Sequence, residues 1–110
     1  MTMFKIDIHT HIIPKNLNEL TETFSDPRFL RMNMLDDQNA LLQRNNNTFR
    51  KIGLNCWHPS KRIEDLSNTK VNMQILSTIP VLFSYWANDK AGYKLSQFLN
   101  DHIFQIVQEY

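Results

Sequence analysis

Phe4-Lys5-Ile6-Asp7-Ile8-His9-Thr10-His11 is the stretch that decides the fold. Read with a period of two, Ile6 and Ile8 face one way, and Asp7, His9 and His11 face the other. This pattern predicts a buried strand over residues 3–9, ending in a His-x-His pair. Two imidazoles two residues apart on one face can hold one divalent metal, and neutral imidazole suits zinc. Two ligands alone do not complete a site. Asp7 shares their face and is a candidate metal or ligand-orienting carboxylate. The plainer reading of Asp7 is a hydrogen-bonded polar residue inside a sheet. The position of the pair adds weight, because a β/α barrel builds its active site where strands such as this one end.

Working outward, Pro14 stops the strand, so residues 1–14 form the first unit. Leu17, Leu20 and Phe24 give residues 15–24 the spacing of a short helix or turn, and Asp26-Pro27 is a turn signal. Residues 28–52 read as a small antiparallel β insertion, with turns at Asp36-Asp37 and Asn45-Asn46-Asn47. Asparagine is used throughout the chain, so the second turn also has a compositional explanation. Residues 59–87 read as a helix, a second buried strand and an aromatic loop. The helix starts at Pro59 or Ser60, with Ile63 and Leu66 inward, and the strand covers 71–78. Together with the first strand they form a βαβ unit. Residues 88–110 carry an apolar stripe of helical period that includes His102, which reads as a packed helix histidine rather than a ligand. The periodicity is still running at Tyr110, with no capping glycine, which reads as a chain cut inside an element.

Composition narrows the function. A length of 110 residues suits one small domain, and a 42% apolar content can form a core. The 12 basic and 11 acidic residues are mixed, which gives no footprint for nucleic acid or an anionic membrane. No stretch approaches the roughly 18–20 apolar residues of a membrane span, and no signal peptide is evident. One cysteine, Cys56, makes no intrachain disulfide, so a cytosolic (cytoplasmic) protein is expected. With only Gly53 and Gly92 there is no phosphate loop and no nucleophile elbow. Cys56 needs an activating base to act as a nucleophile, and His58 is two residues away on an unassigned face; a buried, inert thiol is expected. By residue type alone Arg50 is a surface arginine, although a guanidinium can clamp a carboxylate in bidentate fashion.

Several blocks carry a family resemblance. Ile6-Asp7-Ile8-His9-Thr10-His11-Ile12-Ile13-Pro14-Lys15 resembles the opening of the amidohydrolase superfamily. Phe49-Arg50, then Asn55-Cys56-Trp57-His58-Pro59, then Arg62-Ile63-Glu64-Asp65-Leu66, are similar to its branch of decarboxylases acting on an aminocarboxymuconate semialdehyde. The long run from Gln74 to Ala87 is the most specific match. The resemblance covers nearly the whole chain, but only the N-terminal portion of a family enzyme. It implies an α/β fold: the first part of a metal-dependent (β/α)8 TIM barrel, incomplete here, with a β insertion after the first strand.

The implied chemistry is zinc-dependent, non-oxidative decarboxylation of 2-amino-3-carboxymuconate 6-semialdehyde in tryptophan and kynurenine breakdown, diverting it from quinolinate. His9 and His11 become zinc ligands, and Arg50 the residue holding a substrate carboxylate. A third histidine, an aspartate and an acid/base histidine are implied on later strands, so no catalytic residue is expected within this chain. A homodimer is also implied. Arg44 stands where relatives carry a basic residue, which suggests a second anion contact, and Phe83 and Trp86 are candidates for excluding water. Thr10 stands in place of a common serine, and His58 replaces the usual acidic residue before Pro59. A barrel needs about 200–250 residues, so the chain alone is expected to be inactive. The alternatives are a non-catalytic partner of a longer subunit, or another metal-dependent amidohydrolase or aromatic-acid decarboxylase.

Overall fold

Strand β1 (Ile6–Ile12) is followed by helix α1 (Leu17–Thr21), then strands β2 (Arg31–Met34), β3 (Asn39–Arg44) and β4 (Asn47–Gly53). Helix α2 (Pro59–Thr69), strand β5 (Met73–Thr78) and helix α3 (Asp89–Glu109) complete the order. These elements come from a computed structural model that describes residues 3–110. Strands β1 and β5 pair in parallel, with α2 in the connection between them, while β2-β3-β4 form an antiparallel sheet. The chain is thus mixed α/β, with one parallel and one antiparallel sheet.

The antiparallel sheet is made by its turns. Asn45 and Asn46 have φ of 52° and 62°, and they join Arg44 to its cross-strand partner Asn47. A two-residue hairpin turn with both φ positive is the tight connection that matches strand twist, and asparagine tolerates it better than most residues. At the other end the Asp36 carboxylate accepts from the Gln38 backbone N–H at 2.8 Å and from the Asn39 side-chain amide at 3.1 Å. The core lies beneath this sheet. Met32, Ala40, Leu42 and Ile52 pack with Leu17, Phe29, Trp57 and Leu82, and with Ala91, Leu95 and Leu99 of α3.

Three expectations need correction. Strand β1 starts at Ile6 rather than residue 3, and it runs through the histidine pair to Ile12. The parallel sheet is exposed over most of its length, with Ile8 77% exposed, Ile6 49% and Ile75 49%; only Thr10 and Ile12, at the end of β1, are buried. A two-stranded sheet leaves each strand with a single neighbour, and the chain's own core has formed under the other sheet. For the same reason Ile63, expected on the inner face of α2, is exposed.

Helix α2 begins at Pro59, and His58 caps it: Nδ1 accepts from the Lys61 backbone N–H at 3.3 Å. It is tied to the parallel sheet through Arg62. That guanidinium donates from Nη1 to the Asn55 carbonyl (2.9 Å) and from Nη2 to the Gln74 side chain (3.1 Å). The aromatic loop after β5 is anchored by Trp86, whose ring packs against Phe29 at a 53° tilt with centroids 4.7 Å apart and lies 4.3 Å beneath the Arg28 guanidinium.

Candidate metal centre

His9 and His11 converge. Their Nε2 atoms stand 3.2 Å apart, and their rings meet edge to face with centroids 5.1 Å apart. A tetrahedral ion with Zn–N distances of about 2.0–2.1 Å places two ligand nitrogens roughly 3.4 Å from each other. The pair therefore fits one shared divalent ion with little movement. His9 is exposed and His11 half-buried, so an ion can reach them.

The partner on β5 matters as much as the alternation along β1. Ser77 is the register neighbour of His11, and its hydroxyl lies 2.9 Å from His11 Nδ1. The same hydroxyl donates to the Thr10 carbonyl at 2.8 Å. Thr10 points the other way: it is buried, and its hydroxyl donates to the Ile75 carbonyl at 2.8 Å. Ser77 had no sequence signal as a site residue. Aligning the two strands in parallel register would have found it.

Asp7 does not join the pair. Between Asp7 and Thr10 strand β1 advances three residues, while β5 advances two, from Gln74 to Leu76. The extra residue is a bulge that breaks the two-residue alternation. Asp7 pairs with Gln74, which receives the Arg62 hydrogen bond, and its charge acts on that guanidinium. Its carboxylate accepts from the His9 backbone N–H at 3.2 Å. Among the described residues no third His, Cys, Asp or Glu completes a ligand cluster.

Arg50 lies on β4 and is exposed, with its guanidinium carbon 6.0 Å from the Phe49 ring centroid. It makes no ion pair among the described residues. A bulge at Phe49 precedes it, since Leu42 pairs with Arg50 and Gln43 with Thr48. Arg44 donates from Nη2 to the Val81 carbonyl at 2.9 Å, and its Nε is buried without a partner. Cys56 is half-buried. His58 Nδ1 is engaged in capping α2. His102 is half-buried on α3, where burial pushes its pKa below the ordinary imidazole range. Phe83 is exposed beside Tyr85, whereas Trp86 is engaged by Phe29 and Arg28. No helix is long and apolar enough to cross a membrane among the described residues.

No family model matches the chain. Two curated proteins do. The chain is 42% identical over 105 residues to 2-amino-3-carboxymuconate-6-semialdehyde decarboxylase of Dictyostelium discoideum, covering 96% of this chain and 29% of that protein. It is 36% identical over 106 residues to the protein of the same name from Caenorhabditis elegans, covering 96% of this chain and 26% of that protein. The resemblance carried by the blocks at 6–15, 55–59 and 74–87 thus extends along the chain, which is similar to 2-amino-3-carboxymuconate-6-semialdehyde decarboxylases over 96% of its length and spans 26–29% of theirs.

Proposed function

We propose that this chain is part of a metal-dependent decarboxylase acting on 2-amino-3-carboxymuconate 6-semialdehyde. Within it the chain supplies two zinc ligands, His9 and His11, and a carboxylate anchor, Arg50. The observation that carries this reading is the 3.2 Å convergence of the two Nε2 atoms, in a chain 42% identical to a protein named for that reaction. A divalent ion bound there would supply Lewis acidity and a fixed orientation for the substrate. Arg50 presents a planar fork of N–H donors with no carboxylate paired to it among the described residues, which suits a substrate carboxylate. Loss of carbon dioxide breaks a C–C bond and leaves a carbon to be protonated. No residue of this chain is assigned as the proton donor. The closed (β/α)8 barrel, the remaining ligands, the acid/base histidine, a homodimer, a cytosolic location and a place in tryptophan breakdown belong to the same proposal.

A segment exchange tests it. The matching portion of the Dictyostelium relative is replaced by this chain, and consumption of the substrate chromophore is followed. Turnover is expected, with its loss in His9→Ala and His11→Ala. Arg50→Ala should lower kcat/KM by about 10–100-fold, mostly through KM, because one charged hydrogen-bonded anchor is removed. An exchanged enzyme indifferent to both histidines would overturn the ligand assignment. The isolated chain loaded with zinc is expected to show no turnover; activity that survives purification and disappears in His9→Ala would refute that. A second reading, a non-catalytic partner of a longer subunit, draws on the exposed apolar residues Ile6, Ile8 and Ile75 of the parallel sheet. Co-purification with a full-length subunit would favour it.

A further inference from the structure

We propose that Ser77 is a positioning residue that fixes the tautomer of His11 and so aims its Nε2 lone pair at the metal position. The inference rests on the metal-ligand reading of His9 and His11. A serine hydroxyl has one proton, and the geometry commits it. Ser77 Oγ lies 2.8 Å from the Thr10 carbonyl, an atom that can only accept. The lone pairs of Oγ are then what faces His11 Nδ1 at 2.9 Å. Nδ1 must carry the ring proton to use that contact. In the neutral ring this leaves Nε2 unprotonated, and Nε2 is the nitrogen that stands 3.2 Å from His9 Nε2.

The parallel register makes this arrangement dependable. His11 and Ser77 are partners on adjacent strands, as are Thr10 and Leu76. The Thr10 hydroxyl in turn donates to the Ile75 carbonyl, so side-chain bonds run both ways across β1 and β5 at this level. A hydroxyl whose proton is held elsewhere accepts from the imidazole without competing for the metal. It does for His11 what a carboxylate or carbonyl does for other metal-bound histidines. Ser77 is exposed, so its replacement leaves the core intact.

The test begins without metal. Long-range proton–nitrogen NMR of the chain at a pH above the imidazole range reports which ring nitrogen of His11 is protonated. The expected result is Nδ1–H in the wild type, a mixture of tautomers in Ser77→Ala, and recovery in Ser77→Thr. Wild-type His11 protonated at Nε2, or a tautomer unmoved in Ser77→Ala, overturns the proposal whatever the variants' stability. Zinc titration of the same proteins is the second readout, with affinity expected to fall about 10–100-fold in Ser77→Ala and to return in Ser77→Thr. Unchanged zinc affinity in Ser77→Ala would also overturn it. A wild-type chain with the Nδ1–H tautomer but no zinc binding abolished by His9→Ala would count against the metal-ligand reading instead, so the two failures are distinguishable.

Discussion

Side chains that look alike in sequence do different work here. The Nε2 atoms of His9 and His11 converge to 3.2 Å, His58 caps a helix and His102 packs on one. For His58 the consequence is direct. It accepts at 3.3 Å, a long contact, from an N–H at the positive end of α2. An aspartate there would add a shorter-reaching carboxylate and a favourable charge. His58→Asp is expected to raise stability by about 0.5–1 kcal/mol and His58→Ala to lower it by a similar amount, read from urea midpoints at unchanged m-value. For His102 the sign follows from burial. Its folded pKa lies below the ordinary value of 6.5. As pH falls through 6.5 the unfolded chain takes up the proton first, so stability declines until pH passes the lower folded pKa. The cleft it shares with Lys15, Glu19 and Glu109 keeps the group in contact with solvent. Tm measured against pH should therefore fall more steeply below 6.5 in the wild type than in His102→Gln; identical slopes would exclude burial as the cause. The histidine pair was legible in sequence because a strand period of two needs no partner to be read. The face of Asp7 was not, because one extra residue in β1 reverses parity, and only pairing with β5 shows where that residue lies.

Among the elements, those with local codes were readable and those defined by partners were less so. Pro59 opens α2, Asn45 and Asn46 turn β3 into β4, and the stripe from Leu95 onward makes α3. Each of these signals acts within a few residues. The two bulges are different: one lies between Asp7 and Thr10, the other at Phe49, and both exist only relative to a neighbouring strand. Each sits next to a residue of the proposed site, His9 or Arg50, as bulges that re-aim side chains often do. Helix α3 offers a clean test of local energetics. Asn88 caps it by accepting from the Ala91 N–H at 2.9 Å, and Gly92 follows in the first turns. A Cβ built at Gly92 meets nothing within 4 Å, and its φ is not positive. The glycine therefore contributes only backbone freedom that folding must remove. Gly92→Ala is expected to stabilise the chain by about 0.5–1 kcal/mol and Asn88→Ala to destabilise it by about 1 kcal/mol. Thermal melts of both variants check this, and a destabilised Gly92→Ala would mean that the helix packs more closely there than the structure shows.

At the scale of the whole molecule the core and the candidate site are separated. The buried cluster lies between the antiparallel sheet, α1 and the first half of α3, whereas the histidines stand on a parallel pair with little cover. The molecule measures 53 × 29 × 20 Å, and its radius of gyration is 15.2 Å, against about 13 Å for a compact domain of this length. The surplus is open surface. Phe4, Ile6 and Ile8 on or beside β1 are exposed, as are Met73 and Ile75 on β5, and Ile63 and Val107 on the two flanking helices. Both strands of the two-stranded sheet also keep an unpaired edge. An apolar sheet face with free edges pairs with whatever meets it, and at micromolar to millimolar concentration that is another copy. Light scattering of the isolated chain should therefore show mass rising with concentration, together with binding of an apolar dye. Ile8, at 77% exposure, stabilises little of the folded chain, so Ile8→Lys should suppress association at nearly unchanged Tm. Combining it with Ile75→Lys should suppress association further, because the charges then lie on both strands. A wild-type chain that stays monomeric and dye-free over that range would show the exposed apolar face of the parallel sheet to be covered in solution.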